Sequence, residues 1–206
     1  MFYRRLLTFS VLAAALVPAS LSAGTLLDIS GPGPGSGNYT GVNAHNFYGV
    51  TFTAGSAFSN VSASAQLEGN YMSSMSFATY LYDTTTSSQV ISGSVAFTGT
   101  FPTASYDLFN GNTFSLTSGD SYAVLIAGSG YNAIWDGTNT PTVTNDPGIT
   151  YNGSVYASAA GASGYSSYSG NMLLNLSDNP AGAPEPGSAV LLLPAAAAVL
   201  WRRRRA

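Results

Sequence analysis

From Val61 to Leu67 the chain reads VSASAQL, apolar and polar residues taking strict turns, and this period of two recurs between Gly24 and Asn179. It sets Val61, Ala63, Ala65 and Leu67 on one side of a pleated strand, with Ser62, Ser64 and Gln66 on the other. No stretch of the region carries a convincing helical period, so an all-β domain is expected. Similar strands are predicted at Val50–Thr53, Phe77–Tyr82, Ser94–Thr98, Thr113–Thr117, Tyr122–Ala127, Ile149–Tyr156 and Met172–Leu176, about eight in all.

Turn chemistry separates these strands. Asp83–Ser88 is a polar run, Asn110-Gly111-Asn112 and Ser118-Gly119-Asp120 favour tight reversals, and Asp146-Pro147-Gly148 presets a turn. Gly31–Gly41 and Ala157–Gly170 lack strand patterning and read as loops or linkers. Turn signals at these spacings suit a β-sandwich. The segment Leu116–Tyr122, LTSGDSY, resembles the hairpin entering a late strand of bacterial jelly-roll modules, and that resemblance favours a jelly-roll-like sandwich over a barrel.

All six basic residues are Arg, at Arg4, Arg5 and Arg202 to Arg205. The region between the ends holds eight carboxylates, Asp28, Glu68, Asp83, Asp107, Asp120, Asp136, Asp146 and Asp178, for a formal charge of about −8. Nucleic acid is thereby excluded as a partner, because phosphate binding needs Lys or Arg to displace counterions. With no cysteine, the domain relies on an apolar core rather than disulfides, and thiolate zinc and iron–sulfur sites are excluded.

Residues 1–23 have the layout of a secretory signal peptide: Arg4 and Arg5, an apolar run from Leu6 to Val17, then small residues after Pro18. The apolar run is too short to span a ~30 Å hydrocarbon core as a stable helix, which favours cleavage over anchoring. Cleavage after Ala23 is the first choice, with Ser22 and Gly24 as alternatives. The ectodomain is then residues 24–179, about 155 residues of one sandwich domain.

Residues 180–206 form a tail with three parts in order: Pro184, Glu185 and Pro186, an apolar segment at 187–201, and Arg202, Arg203, Arg204 and Arg205. The two prolines keep the peptide around Glu185 extended. The apolar segment of 15 residues is about 22 Å long as a helix and is interrupted by Pro194, a marginal anchor suited to temporary use. Arginines beside an apolar segment stay on the cytoplasmic side, so both ends point inward and the middle lies outside. An ordinary membrane anchor or an amphipathic tail does not require the triplet at this position.

This three-part order resembles the PEP-CTERM sorting signal of bacterial proteins handled by exosortase. The resemblance implies recognition at Pro184, Glu185 and Pro186 by an exosortase-type enzyme and transient residence in the inner membrane. It also implies cleavage near the motif and delivery to the cell surface or an exopolysaccharide matrix. It is confined to the tail.

Catalytic groups are scarce between the ends. His45 is the one imidazole, and neither a Gly-x-Ser-x-Gly elbow nor an HExxH motif accompanies it. Glu68 with Asp83 or Asp107 could serve as a glycosidase pair, although no spacing supports it and turn roles explain the aspartates better. Asp136-Gly137-Thr138-Asn139 and Asn145-Asp146 offer oxygen donors for Ca²⁺ without EF-hand spacing, and a turn is again the simpler reading. No cofactor is therefore expected. Tyr151, Tyr156, Tyr165 and Tyr168 lie in a Gly/Ser-rich region where exposed rings could stack on sugars, against the alternative that they cover the sandwich edge. The expected protein is a non-catalytic exported surface or matrix protein associated with exopolysaccharide, the alternatives being a secreted carbohydrate-binding module or a glycan hydrolase.

Overall fold

The computed structural model describes residues 24–31, 39–42, 46–69, 74–98, 101–128, 133–138 and 140–178. These form fifteen β-strands and no helix: β1 (Gly24–Ser30), β2 (Tyr39–Val42), β3 (Phe47–Ala54), β4 (Phe58–Gly69), β5 (Ser74–Asp83), β6 (Ser88–Thr98), β7 (Phe101–Asp107), β8 (Phe114–Leu116), β9 (Ser121–Gly128), β10 (Ala133–Thr138), β11 (Thr142–Asn145), β12 (Ile149–Ala157), β13 (Ser166–Ser167), β14 (Asn171–Met172) and β15 (Leu174–Asp178). None of the described residues forms a helix long and apolar enough to cross a membrane. The predicted signal peptide at 1–23 and the apolar segment at 187–201 lie outside the described residues.

Two antiparallel sheets result, an arrangement consistent with a β-sandwich. One runs β11-β1-β15-β4-β10-β14, with β2 joined to β10 and with β7 and β8 joined to β4; the other runs β13-β12-β3-β9-β5-β6. The alternation in β4 acts as expected: Val61, Ala63, Ala65 and Leu67 are buried while Ser62, Ser64 and Gln66 are partly exposed. Leu27 and Ile29 of β1, Leu174 and Leu176 of β15, Val50 and Phe52 of β3, and Val124 and Ile126 of β9 join them in one core. Trp135 of β10, fully buried, is its largest member, and its indole N–H is satisfied by the carbonyl of Leu173 at 3.0 Å. Thr79, buried on β5, gives its hydroxyl proton to the carbonyl of Leu108, so this buried polar group is also paired.

All eight predicted strands are present, but the strand count is nearly doubled. Two segments read as loops contain short strands: β2 begins at Tyr39 within 31–41, and β13 lies within 157–170. Both are too short for a period to register, and each is held by a neighbour, β2 by β10 and β13 by β12. Met172–Leu176, expected as one strand, breaks at Leu173, where the chain changes partner from β10 to β4.

The turns follow the sequence chemistry, except that the reversal at Ser118-Gly119-Asp120 does not close the expected hairpin: β8 pairs with β4 in one sheet and β9 with β3 and β5 in the other, so Leu116–Tyr122 crosses between sheets. Asp83 Oδ1 accepts from the N–H groups of Thr85 and Thr86 at 2.8 and 3.0 Å, and Asp107 Oδ1 from Phe109 and Gly111 at 2.8 and 3.1 Å. Asp146 Oδ1 accepts from Gly148 at 2.7 Å. The reversal after Asp107 has φ of 57° at Asn110 and 77° at Gly111, left-handed values that Asn and Gly tolerate best.

Candidate functional surface

β9 is buried on both faces, which a sheet with one solvated side does not do. Tyr122, Val124 and Ile126 face the main core, while Ala123 and Leu125 face outward and are nonetheless fully buried. What covers them is aromatic. Tyr80 and Tyr82 of β5, alternate residues opposite Phe77, Thr79 and Leu81, pack over Ala123 and Leu125 together with Tyr165, and Val155 of β12 completes the cluster. Phe47 of β3 extends the row, its ring 6.1 Å from that of Tyr80, and the rings of Tyr80 and Tyr82 lie 6.0 Å apart at 23°.

Each of these residues is partly buried, so the row leaves part of its surface to solvent while packing on the sheet. Hydrogen bonds orient two of the rings: the Tyr165 hydroxyl donates to the carbonyl of Gly161 at 2.5 Å and that of Tyr82 to Oε1 of Gln89 at 3.4 Å. Burial pushes the Tyr165 phenol up to about 12, with the neighbouring Tyr82 adding to the rise. Burial, with a smaller contribution from Tyr80, also raises that of Tyr82. These phenols stay neutral hydrogen-bonding groups at any ordinary pH. Beside the row, Gln89, Ser92 and Ser94 of β6 are exposed.

The charge is divided unevenly between the sheets. Asp83 is the sole charged residue in the strands of the six-stranded sheet; it is 7% exposed and tied into the turn after β5. Asp28, Glu68, Asp107, Asp136 and Asp178 all belong to strands of the other sheet. On that second sheet a depression of about 250 Å³ is lined by Asp28, Ser64, Gln66, Ser105, Leu173 and Asn175 among others, with Asn175 Nδ2 donating to Asp28 Oδ1 at 3.2 Å. Its lining mixes one carboxylate, Asp28, with small polar and aliphatic side chains and includes no aromatic ring.

The four tyrosines singled out by sequence do not share one surface. Tyr151 and Tyr168 pack against the main core, whereas Tyr165 belongs to the outer cluster. The ring of Tyr48 is 5.5 Å from Tyr156 and 5.1 Å from Tyr168, and burial, followed by these two neighbours, raises its phenol. The Tyr156 hydroxyl donates to Asn46 at 3.3 Å and that of Tyr151 to Asn171 at 3.1 Å. Sequence reasoning missed Tyr80 and Tyr82, although the alternation of Phe77–Tyr82 already sets them on the face opposite Phe77 and Leu81.

His45, Asn139, the motif Pro184, Glu185 and Pro186, and Arg202 to Arg205 lie outside the described residues. Glu68 and Asp107 stand on adjacent strands, but Asp107 pairs with Ser64, four positions along β4 from Glu68, and Asp83 lies in the other sheet. Thr138 Oγ1 accepts from the Thr140 N–H at 3.2 Å, and Asn145 Nδ2 donates to the carbonyl of Ile149 at 2.6 Å, so these parts of the Ca²⁺ candidate serve the local turns. The described residues contain no group of three or more metal-ligating side chains placed to hold an ion. In comparisons with known proteins, no family model matches the chain and no curated protein matches it.

Proposed function

We propose that this is a non-catalytic, exported surface or matrix protein that holds neutral extracellular polysaccharide on the outer aromatic face of its six-stranded sheet. The observation that carries this reading is the row Phe47, Tyr80, Tyr82 and Tyr165 on a sheet whose one charged side chain is folded into a turn. A pyranose presents apolar C–H groups on its faces and hydroxyls around its rim. The C–H groups favour the negative face of an aromatic ring, and the hydroxyls suit Gln89, Ser92 and Ser94. A face without cations has nothing to retain an acidic polymer, which makes neutral glycans the matching class.

Export and sorting rest on the two ends: a signal peptide at residues 1–23, and a PEP-CTERM-like tail at 180–206 processed by an exosortase-type enzyme at the inner membrane. The finer reading of the fold is a jelly roll, favoured by the resemblance of the segment Leu116–Tyr122 to jelly-roll modules and by the crossing of the chain there from one sheet, in β8, to the other, in β9. A secreted carbohydrate-binding module is the second reading, favoured by the same rings; strict preference for one glycan would distinguish it from a general matrix component.

Affinity electrophoresis tests the binding. Gels cast with a soluble neutral glucan should retard the protein, gels cast with an acidic polysaccharide should not, and the double variant Tyr80→Ala, Tyr82→Ala should run freely in both. Equal mobility of the wild-type protein in all gels would remove the proposal.

A further inference from the structure

β6 ends the six-stranded sheet, pairing with β5 on one side while no described strand lies beyond it. Its 11 residues extend about 36 Å, and along the outer edge its alternate N–H and C=O groups are paired with no described strand. Folded proteins ordinarily guard such an edge with Lys, Glu, Pro or a very short strand. The sequence SQVISGSVAFT contains no charged residue and no proline. At the other end of the same sheet the two-residue β13 covers Val155 and Tyr156 of β12, and the rest of β12 is interrupted by an irregularity at Tyr151/Gly153, a bulge of the kind that turns an edge away from pairing. A separate observation falls on the same strand: Val90, 39% exposed, is the one exposed large hydrophobic among the described residues, and it sits at the irregularity of the β5–β6 ladder.

We propose that β6 is a self-pairing edge, through which two copies of the chain join β6 to β6 antiparallel as one continuous sheet. A second copy fits this edge for three reasons. An antiparallel strand set about a two-fold axis meets its own pattern, so a ladder of this length needs no other partner of matching length. Its exposed side chains at Ser88, Ser92, Ser94 and Ala96 are small and neutral, so no like charges oppose one another across the joint. The pairing also covers Val90 and consumes the β6 edge of each copy, and the far end of that sheet offers only the two-residue β13 and the part of β12 interrupted at Tyr151/Gly153, so in this sheet assembly closes at the dimer. The two-fold axis runs perpendicular to the sheet and keeps the outer faces of both copies on one side. On the glycan reading above, this doubles the aromatic row into a bivalent surface; the pairing itself does not depend on that reading.

Sedimentation velocity of the full chain, without glycan, should show a monomer–dimer equilibrium that Val90→Lys and Ser94→Lys each weaken at least about tenfold by setting charge on the edge. Because the chain has no cysteine, introduced thiols report the contact directly. With the two-fold axis at Gly93, the middle of β6, Ser92 of one copy lies opposite Ser94 of the other, so the double variant Ser92→Cys, Ser94→Cys should give disulfide-linked dimers under mild oxidation far faster than either single variant. Ser115→Cys, exposed on β8 of the other sheet, should not. The cysteine series keeps the test decisive where a lysine variant misfolds by circular dichroism. Sedimentation as a monomer throughout, association unchanged by folded lysine variants, or cross-linking at β6 no faster than at Ser115→Cys would overturn the proposal. Dimer formation is read without glycan and glycan retention without reference to dimers, so either idea can fail while the other stands.

Discussion

Trp135 donates its indole N–H to the carbonyl of Leu173 at 3.0 Å, at the point where the chain between β14 and β15 changes strand partner. The same carbonyl also accepts from the N–H of Gln66 at 3.4 Å, so one oxygen ties β10 and β4 to the break. Trp135→Phe removes one hydrogen bond and part of the largest side chain in the core. It should cost roughly 2–4 kcal/mol, measured by urea denaturation with an unchanged m-value.

Gly49 permits a close approach of β3 to β9. A Cβ at this position would overlap the carbonyl oxygen of Val124 and Cδ2 of Leu125. Gly49→Ala must therefore push β9 away from β3, in a stretch where both faces of β9 are packed. Destabilisation of about 1–3 kcal/mol is expected, in the range of overpacked cores. A melting temperature at or above that of the wild type would contradict the packing described for Leu125.

Much of the strand layout is legible because each long strand buries one face and keeps its period of two, as β4 and β5 do. The strands that escape sequence reading each break that period for a physical reason. In β1, Leu26 and Leu27 are adjacent and both buried, across an irregularity of the ladder with β15. β10 carries Asp136-Gly137, which reads as a turn, yet both residues are paired, Asp136 with Tyr39 and Gly137 with Met172. β7 contains Pro102, which argues against a strand in a sequence reading but is tolerated here because β7 pairs with β4 and no other described strand. The aromatic row is half legible: alternation sets Tyr80 and Tyr82 side by side, but nothing local brings Tyr165 from a distant Gly/Ser segment onto them.

The phenol shifts give a stability profile with a definite sign. An unfolded tyrosine releases its proton near 10.0, whereas Tyr165 in the folded protein holds its own to about 12. Between those values the folded chain binds more protons than the unfolded chain, so raising the pH favours unfolding. Stability should be unaffected by this group below about pH 10 and fall between about 10 and 12, with Tyr82 and Tyr48 acting in the same direction. Tyr165→Phe should make the alkaline decline shallower in denaturation curves; an identical decline would assign the loss to other groups.

Single substitutions apportion the proposed glycan surface. Tyr80→Ala and Tyr82→Ala should each weaken retention on a neutral glucan by about 0.5–1.5 kcal/mol, or roughly twofold to thirteenfold. Tyr156→Ala, which removes a ring packed against Tyr48, should lower stability and leave retention within about twofold once folding is confirmed. Reversal of this order would move the surface to the Tyr48, Tyr156 and Tyr168 group.

The proposed sorting role of the tail assigns orientation and recognition to different residues, so it can be tested by separate substitutions. On the proposed sorting reading, Arg202 to Arg205 are the charge cluster that would resist translocation, and Pro184, Glu185 and Pro186 the segment that the processing enzyme would recognise. Replacing all four arginines with serine leaves an apolar segment of 15 residues, interrupted by Pro194, without its lock. Part of the precursor should then escape unprocessed. Replacing Pro184, Glu185 and Pro186 with alanine keeps the lock and removes the extended segment, so full-length precursor should accumulate in the inner membrane. Cell fractionation with an antibody against the ectodomain distinguishes the two failures by compartment and by length. Normal maturation of both variants at the surface would reduce the tail to a hydrophobic end, and an exosortase-type partner would have no remaining support.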